Sequence, residues 1–256
     1  MSMLPTEKTQ PSIEMNNLTF MVYGKIGIGK TTFCNELSEN VLFLDTEKGT
    51  DLQSIFVTPV ESWQKFLNVR DEFLRGNHKF EILAVDTVGR LLKECAAHVL
   101  GKMGLSHPSE GQYGKAYDKI KFEFDSGIHP LQHSPYGLWF IGHDRTKKIE
   151  PAFGSAYDRF EPDLPNYVAP IVTGLCDFIF YMTNGKVEKI LKNVKDGKER
   201  KIYVETRVLK TKPAREHVAK DRLRYAPLPE QMILNGHNFK EMFEGRLKEN
   251  MEKSSE

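Results

Sequence analysis

Cysteine is scarce. The 256-residue chain has three, Cys34, Cys95 and Cys176, far apart and without a Cys-x-x-Cys pair. That spacing argues against a disulfide framework or a cysteine-built zinc site, and it favours a reducing, cytoplasmic setting. Long apolar runs are missing too: none reaches the roughly 20 residues of a membrane-spanning helix. The polar start around Thr6-Glu7-Lys8-Thr9-Gln10 lacks the apolar stretch of a secretory leader, so no membrane partner is expected. Net charge is nearly absent, with 36 Lys and Arg against 35 Asp and Glu. No global basic field advertises nucleic acid, and such a partner would need a local basic surface. Internal repeats and low-complexity linkers are also absent.

What remains is the composition of an ordinary globular protein, long enough for one well-filled core. Residues 1–16 read as a lead-in, 17–246 as one domain and 247–256 as a polar tail. Short apolar runs at 18–23, 41–45, 80–86, 136–143 and 176–182 alternate with helical patterns at about 30–38 and 90–100. Nearly continuous apolar runs suit parallel strands covered on both faces, so an α/β sandwich with a mostly parallel sheet is expected. Two strand-like runs, 187–191 and 201–209, flank Asp196-Gly197, a hairpin signal that predicts antiparallel strands along one sheet edge. A final helix is expected near 239–247.

The chemistry begins at Gly24-Lys25-Ile26-Gly27-Ile28-Gly29-Lys30-Thr31, followed by Thr32. This fits the phosphate-loop pattern, with a strand before it and a helix after it. Glycines let successive N–H groups turn toward phosphate oxygens, Lys30 reaches the β- and γ-phosphates, and the Thr31 hydroxyl ligates magnesium. ATP with Mg²⁺ is therefore the expected ligand pair. Asp86 ends an apolar strand, where a carboxylate can hold magnesium through water or cap the next helix. Glu47, just past another strand, can orient or deprotonate a water attacking the γ-phosphate, or simply be an exposed loop acid. His143, at the end of a further strand, can sense the γ-phosphate or sit as a rim histidine.

Taken in order, the phosphate loop, Leu44-Asp45-Thr46-Glu47-Lys48-Gly49, the Asp86 strand and the His143 strand resemble the core of RecA-like ATPases. The nearer likeness is to phage-encoded members, including Sak-type single-strand annealing proteins. It extends through Tyr113-Gly114-Lys115-Ala116-Tyr117-Asp118, Glu161-Pro162-Asp163-Leu164-Pro165 and Leu209-Lys210-Thr211-Lys212-Pro213. The resemblance implies that Glu47 activates water and that Asp86 is the magnesium-linked aspartate. It also implies that Lys210 and Lys212 reach a neighbouring subunit's nucleotide in a ring or filament; strand alternation would put both on one face. His143 stands where such proteins usually carry glutamine.

After His143 comes a long mixed stretch in which Arg145, Lys147, Lys148 and Arg159 interleave with Phe153 and Tyr157. Cations for phosphates and rings for bases suit single-stranded DNA, and the resemblance places a DNA-contacting loop here. Glu150, Asp158, Glu161 and Asp163 offset much of that charge. Annealing or homologous recombination, with a single-strand-binding protein as a further partner, is the function so implied. Two alternatives stay open: a phosphotransferase acting on a small molecule, and an ATP-dependent loader or switch that binds a replication protein.

Overall fold

A computed structural model describes residues 14–50, 53–192, 199–233 and 236–254. The elements run β1 (Thr19–Gly24), α1 (Lys30–Asn35), β2 (Val41–Asp45), β3 (Phe56–Pro59), α2 (Trp63–Leu74), β4 (Ile82–Asp86), α3 (Val88–Met103) and α4 (Lys115–Gln132). Then follow β5 (Gly137–Ile149), β6 (Tyr157–Pro162), α5 (Ala169–Leu175), β7 (Phe178–Lys192), β8 (Glu199–Lys210), β9 (Gln231–Ile233) and α6 (Gly236–Ser254). The sheet order is β3-β2-β4-β5-β1-β7-β8-β9, with β6 paired to β5. β3, β2, β4, β5, β1 and β7 run parallel; β8 and β9 add antiparallel strands at one edge. This is the expected α/β P-loop NTPase architecture. The Asp196-Gly197 turn lies outside the described residues.

β1 shows why the apolar runs are continuous. Successive side chains point to opposite faces of a strand. Met21 and Tyr23 enter the layer made with α2, α3, α4 and α5, whereas Phe20 and Val22 enter the layer made with α1 and α6. Both faces are covered, so every residue of β1 is buried. The second layer is aromatic: Phe20 stacks on Trp139 at 4.3 Å, and Phe178, Phe239 and Phe243 close around it. α6 docks here through Gly236, whose absent side chain lets its backbone approach the Phe33 carbonyl of α1. The helix continues through Leu247, which is buried, to Ser254, so 247–254 form its last turns rather than a separate tail. No helix among the described residues is long and apolar enough to cross a membrane.

One expectation changes. The stretch after His143 is not a long loop. β5 continues past the body of the sheet, and Asp144–Ile149 pair antiparallel with Tyr157–Pro162 of β6 to make a hairpin.

Candidate nucleotide site

Parallel strands deliver the site. Gly24 lies beside His143, and Asp45 beside Asp86, at the C-terminal ends of β1, β2 and β4 and at the point where β5 leaves its parallel neighbours, where open α/β sheets bind ligands. The loop after β1 turns through Gly27 and Gly29, at φ +75° and +97°, a region disfavoured for any residue with a Cβ. A cavity of about 380 Å³ is lined by the loop residues Ile26, Gly27, Gly29, Lys30, Thr31 and Thr32, and by Asp45, Glu47, Gly49, Gln53, Asp86 and His143.

Lys30 is buried, and its Nζ donates to the carbonyls of Gly24 and Lys25, both at 2.8 Å. Burial lowers its pKa, while the carboxylate of Asp86 opposes the shift. Thr31 Oγ1 donates to Asp86 Oδ2 at 2.6 Å. Burial pushes the Asp86 carboxyl up, against the pull of the Thr31 hydroxyl and Lys30. Asp86 does not cap α3: Thr87 does, its Oγ1 accepting from Arg90 N at 3.3 Å. The same hydroxyl donates to Glu47 Oε1 at 2.8 Å, and His143 Nε2 lies 3.1 Å from Glu47 Oε2. Burial alone would raise Glu47, but the bonds from Thr87 and His143 outweigh it and hold the carboxyl below its usual range. Glu47 is exposed, as a loop acid would be, but each of its oxygens has a partner that fixes its direction.

Asp45 builds the turn that carries Glu47. Its Oδ1 accepts from Glu47 N at 2.9 Å and Gly49 N at 3.4 Å, and its Oδ2 accepts from Thr50 Oγ1. Thr46 Oγ1 donates to the carbonyls of Asp86 and Thr87, tying the turn to β4.

Over residues 16–223 the chain matches the model of the AAA domain family. The chain belongs to that family. It is thus an AAA-type P-loop protein, and nucleotide binding, as a rule with Mg²⁺, follows from the family. No curated protein shows a significant match to it. The donors of this AAA domain fit the metal, since Thr31 Oγ1 and Asp86 Oδ2 meet in the cavity beside Lys30. The hard oxygens of Thr31 and Asp86 are the sparse set magnesium takes when phosphates and waters complete its shell.

Lys210 and Lys212 stand apart from this pocket. β8 ends at Lys210, so Lys212 lies beyond the strand and alternation does not align the two. Lys210 Nζ donates to Gln231 Oε1, and Lys212 pairs with the buried Asp221, each at 2.5 Å. The hairpin residues group on a face of their own. Arg145, Lys147 and Arg159 all converge on Glu161, at 2.7, 3.7 and 3.4 Å, and Arg215 stacks on Tyr157. Lys148 and Phe153 are exposed.

Sequence reasoning missed Thr87, Asp45 as a brace, and Arg207 of β8. Arg207 Nη1 donates to the Ile28 carbonyl in the phosphate loop at 3.3 Å. Thr87 had a legible signal, an N-cap residue opening a helical pattern; Arg207 had none.

Proposed function

We propose that this AAA domain hydrolyses ATP and couples the nucleotide to single-stranded DNA, in the manner of annealing or recombination proteins. One observation carries the hydrolytic reading: Glu47 is held on both oxygens, by Thr87 and His143, in the same cavity as Lys30, Thr31 and Asp86. The loop N–H groups and Lys30 bind the phosphates. Thr31 and Asp86 are the residues that would hold magnesium, which when bound neutralises charge on the phosphate oxygens. Glu47 takes the proton of the attacking water as the water oxygen bonds to the γ-phosphorus and the bond to the β-phosphate oxygen breaks. Its low pKa keeps the carboxylate ionised at neutral pH. A small-molecule phosphotransferase would need its acceptor where that water sits, and a fixed carboxylate suits either chemistry; the RecA-like order of elements favours water.

The DNA reading rests on the hairpin. Three cations share one carboxylate there, which leaves local positive charge, and the ring of Phe153 is exposed in the connection between β5 and β6. β5 links those cations to His143, one residue before the hairpin begins. Phage origin, assembly into a ring or filament, and a single-strand-binding partner belong to the same proposal.

The hairpin can be tested with Glu161 still paired, because Arg145 and Arg159 stay in place and only the longest of its three contacts, that of Lys147 at 3.7 Å, is lost. In the variant Lys147→Ala/Lys148→Ala/Phe153→Ala, single-stranded DNA affinity is expected to fall about tenfold or more, from two lost phosphate contacts and one lost stack. The slope of log affinity against log salt should drop by about 1.4, at about 0.7 per contact, and DNA stimulation of ATP turnover should be lost. Unchanged affinity and slope would remove the hairpin from the DNA reading, and no DNA binding by the wild type at low salt with ATP and Mg²⁺ would remove the reading itself.

A further inference from the structure

β8 brings a cation to the phosphate loop from the side opposite Glu47. In the sheet, β1 separates β5, β4 and β2, which carry His143, Asp86 and Glu47, from β7 and β8. Leu209 of β8 is buried in the layer that includes Phe33 and Cys34 of α1. Arg207, two residues earlier, projects to that same face, over the loop that leads into α1. Its Nη1 donates to the Ile28 carbonyl at 3.3 Å. A methyl group built on Gly29 would lie 2.0 Å from Nη1 and 3.3 Å from Cζ, so the guanidinium rests directly on the loop. Gly29 is thus required twice, by its φ of +97° and by this contact.

The rest of the guanidinium is uncommitted. Arg207 is exposed and has no ion pair among the described residues, and its bond to Ile28 uses one of five N–H donors. A guanidinium needs no second subunit to meet phosphate here, whereas Lys210 and Lys212 are bound to Gln231 and Asp221 within their own chain.

We infer that Arg207 binds the polyphosphate of the nucleotide from within the same chain, flanking it opposite the Glu47–Asp86 side. This rests on the nucleotide-binding reading of the phosphate loop and deepens it: the cation assigned by resemblance to a neighbour's lysines is supplied in cis. Its planar fork suits bidentate contact with phosphate oxygens. Affinity for nucleoside triphosphate then does not depend on assembly.

The test is equilibrium binding of a fluorescent ATP analogue with Mg²⁺, at several salt and protein concentrations. It compares the wild type, Lys30→Ala, Arg207→Ala, Arg207→Lys and Lys210→Ala. Arg207→Ala is expected to weaken binding about 10- to 100-fold and to flatten its salt dependence, because an ionic contact is gone. Arg207→Lys restores part of the affinity, having the charge without the fork. Lys210→Ala binds as the wild type does, and affinity is the same at every protein concentration. Thermal unfolding without nucleotide is unchanged in Arg207→Ala, since the residue is exposed.

Three results overturn the inference alone. One is wild-type affinity in Arg207→Ala. Another is weakened binding with unaltered salt dependence, which makes Arg207 only a clamp on Ile28. The third is affinity that rises with protein concentration and falls in Lys210→Ala. Binding by Lys30→Ala equal to wild type, or no binding by the wild type, overturns the phosphate-loop reading itself and is recognisable as such.

Discussion

Glu47→Gln is expected to bind ATP within about twofold of the wild type and to lose turnover by a factor of about 10² to 10⁴, the range for removing a positioned general base. Glutamine preserves the shape of the side chain, and its carbonyl still accepts from Thr87 Oγ1, so the 46–50 turn keeps its geometry. That turn is held by Asp45 and by Thr46, neither of which needs the Glu47 charge. What glutamine cannot do is take a proton. Single-turnover phosphate release and nucleotide titration separate the two effects. Turnover that survives the substitution would make Glu47 a structural link between Thr87 and His143, whereas loss of binding would place it among the phosphate contacts.

The second large effect is on stability. Asp221 has a side chain only 2 % exposed, and it accepts from Lys212 Nζ at 2.5 Å, Leu223 N at 2.8 Å and Leu228 N at 2.9 Å. Lys212→Ala leaves a buried carboxylate with two backbone donors and no counter-charge. Breaking one side of a buried pair costs about 3–5 kcal/mol when nothing else compensates; with two N–H bonds retained and Lys212 partly exposed, about 2 kcal/mol is expected. The urea midpoint should fall with an unchanged slope. ATP turnover per folded molecule should stay near that of the wild type. An unaltered midpoint with turnover lost would return Lys212 to the role of a catalytic cation reaching a neighbour.

The contrast between these two residues shows which parts of the site were legible in the sequence. The phosphate loop is contiguous, and its chemistry depends on local backbone conformation at Gly27 and Gly29, so the motif alone located it. Asp86, Glu47 and His143 were found because each follows an apolar strand, and parallel strands gather their C-terminal ends on one side. Thr87 and Arg207 depend instead on which atoms face each other across 40 and 179 residues of chain. The helix-capping pattern marks Thr87, but no local pattern carries its bond to Glu47 or the reach of Arg207 to the phosphate loop. The shared face expected for Lys210 and Lys212 failed for a related reason: alternation holds only inside a strand, and β8 stops at Lys210.

The fold divides similarly. Five core strands announced themselves as apolar runs because both of their faces are covered. The hairpin did not, because β5 changes from fully buried to half-buried or exposed after Gly142, and charge replaces apolar residues there. Nor did α2 and α4, whose buried positions, such as Trp63, Phe66, Ile120 and Phe124, are diluted by exposed charged residues. The last helix outran its predicted end: past the buried Leu247 its polar turns carry the Arg246–Glu249 and Glu249–Lys253 ion pairs at helical spacing.

The central claim is that Lys30, Thr31, Asp86 and Glu47 form one hydrolytic site. Its most direct test is phosphate release from ATP by the wild type and by Lys30→Ala, each with Mg²⁺ and with the metal chelated. Removing Lys30 takes away the buried cation of the phosphate loop, so release is expected only from the wild type with Mg²⁺. Equal release by Lys30→Ala, or release that persists without the metal, would contradict it.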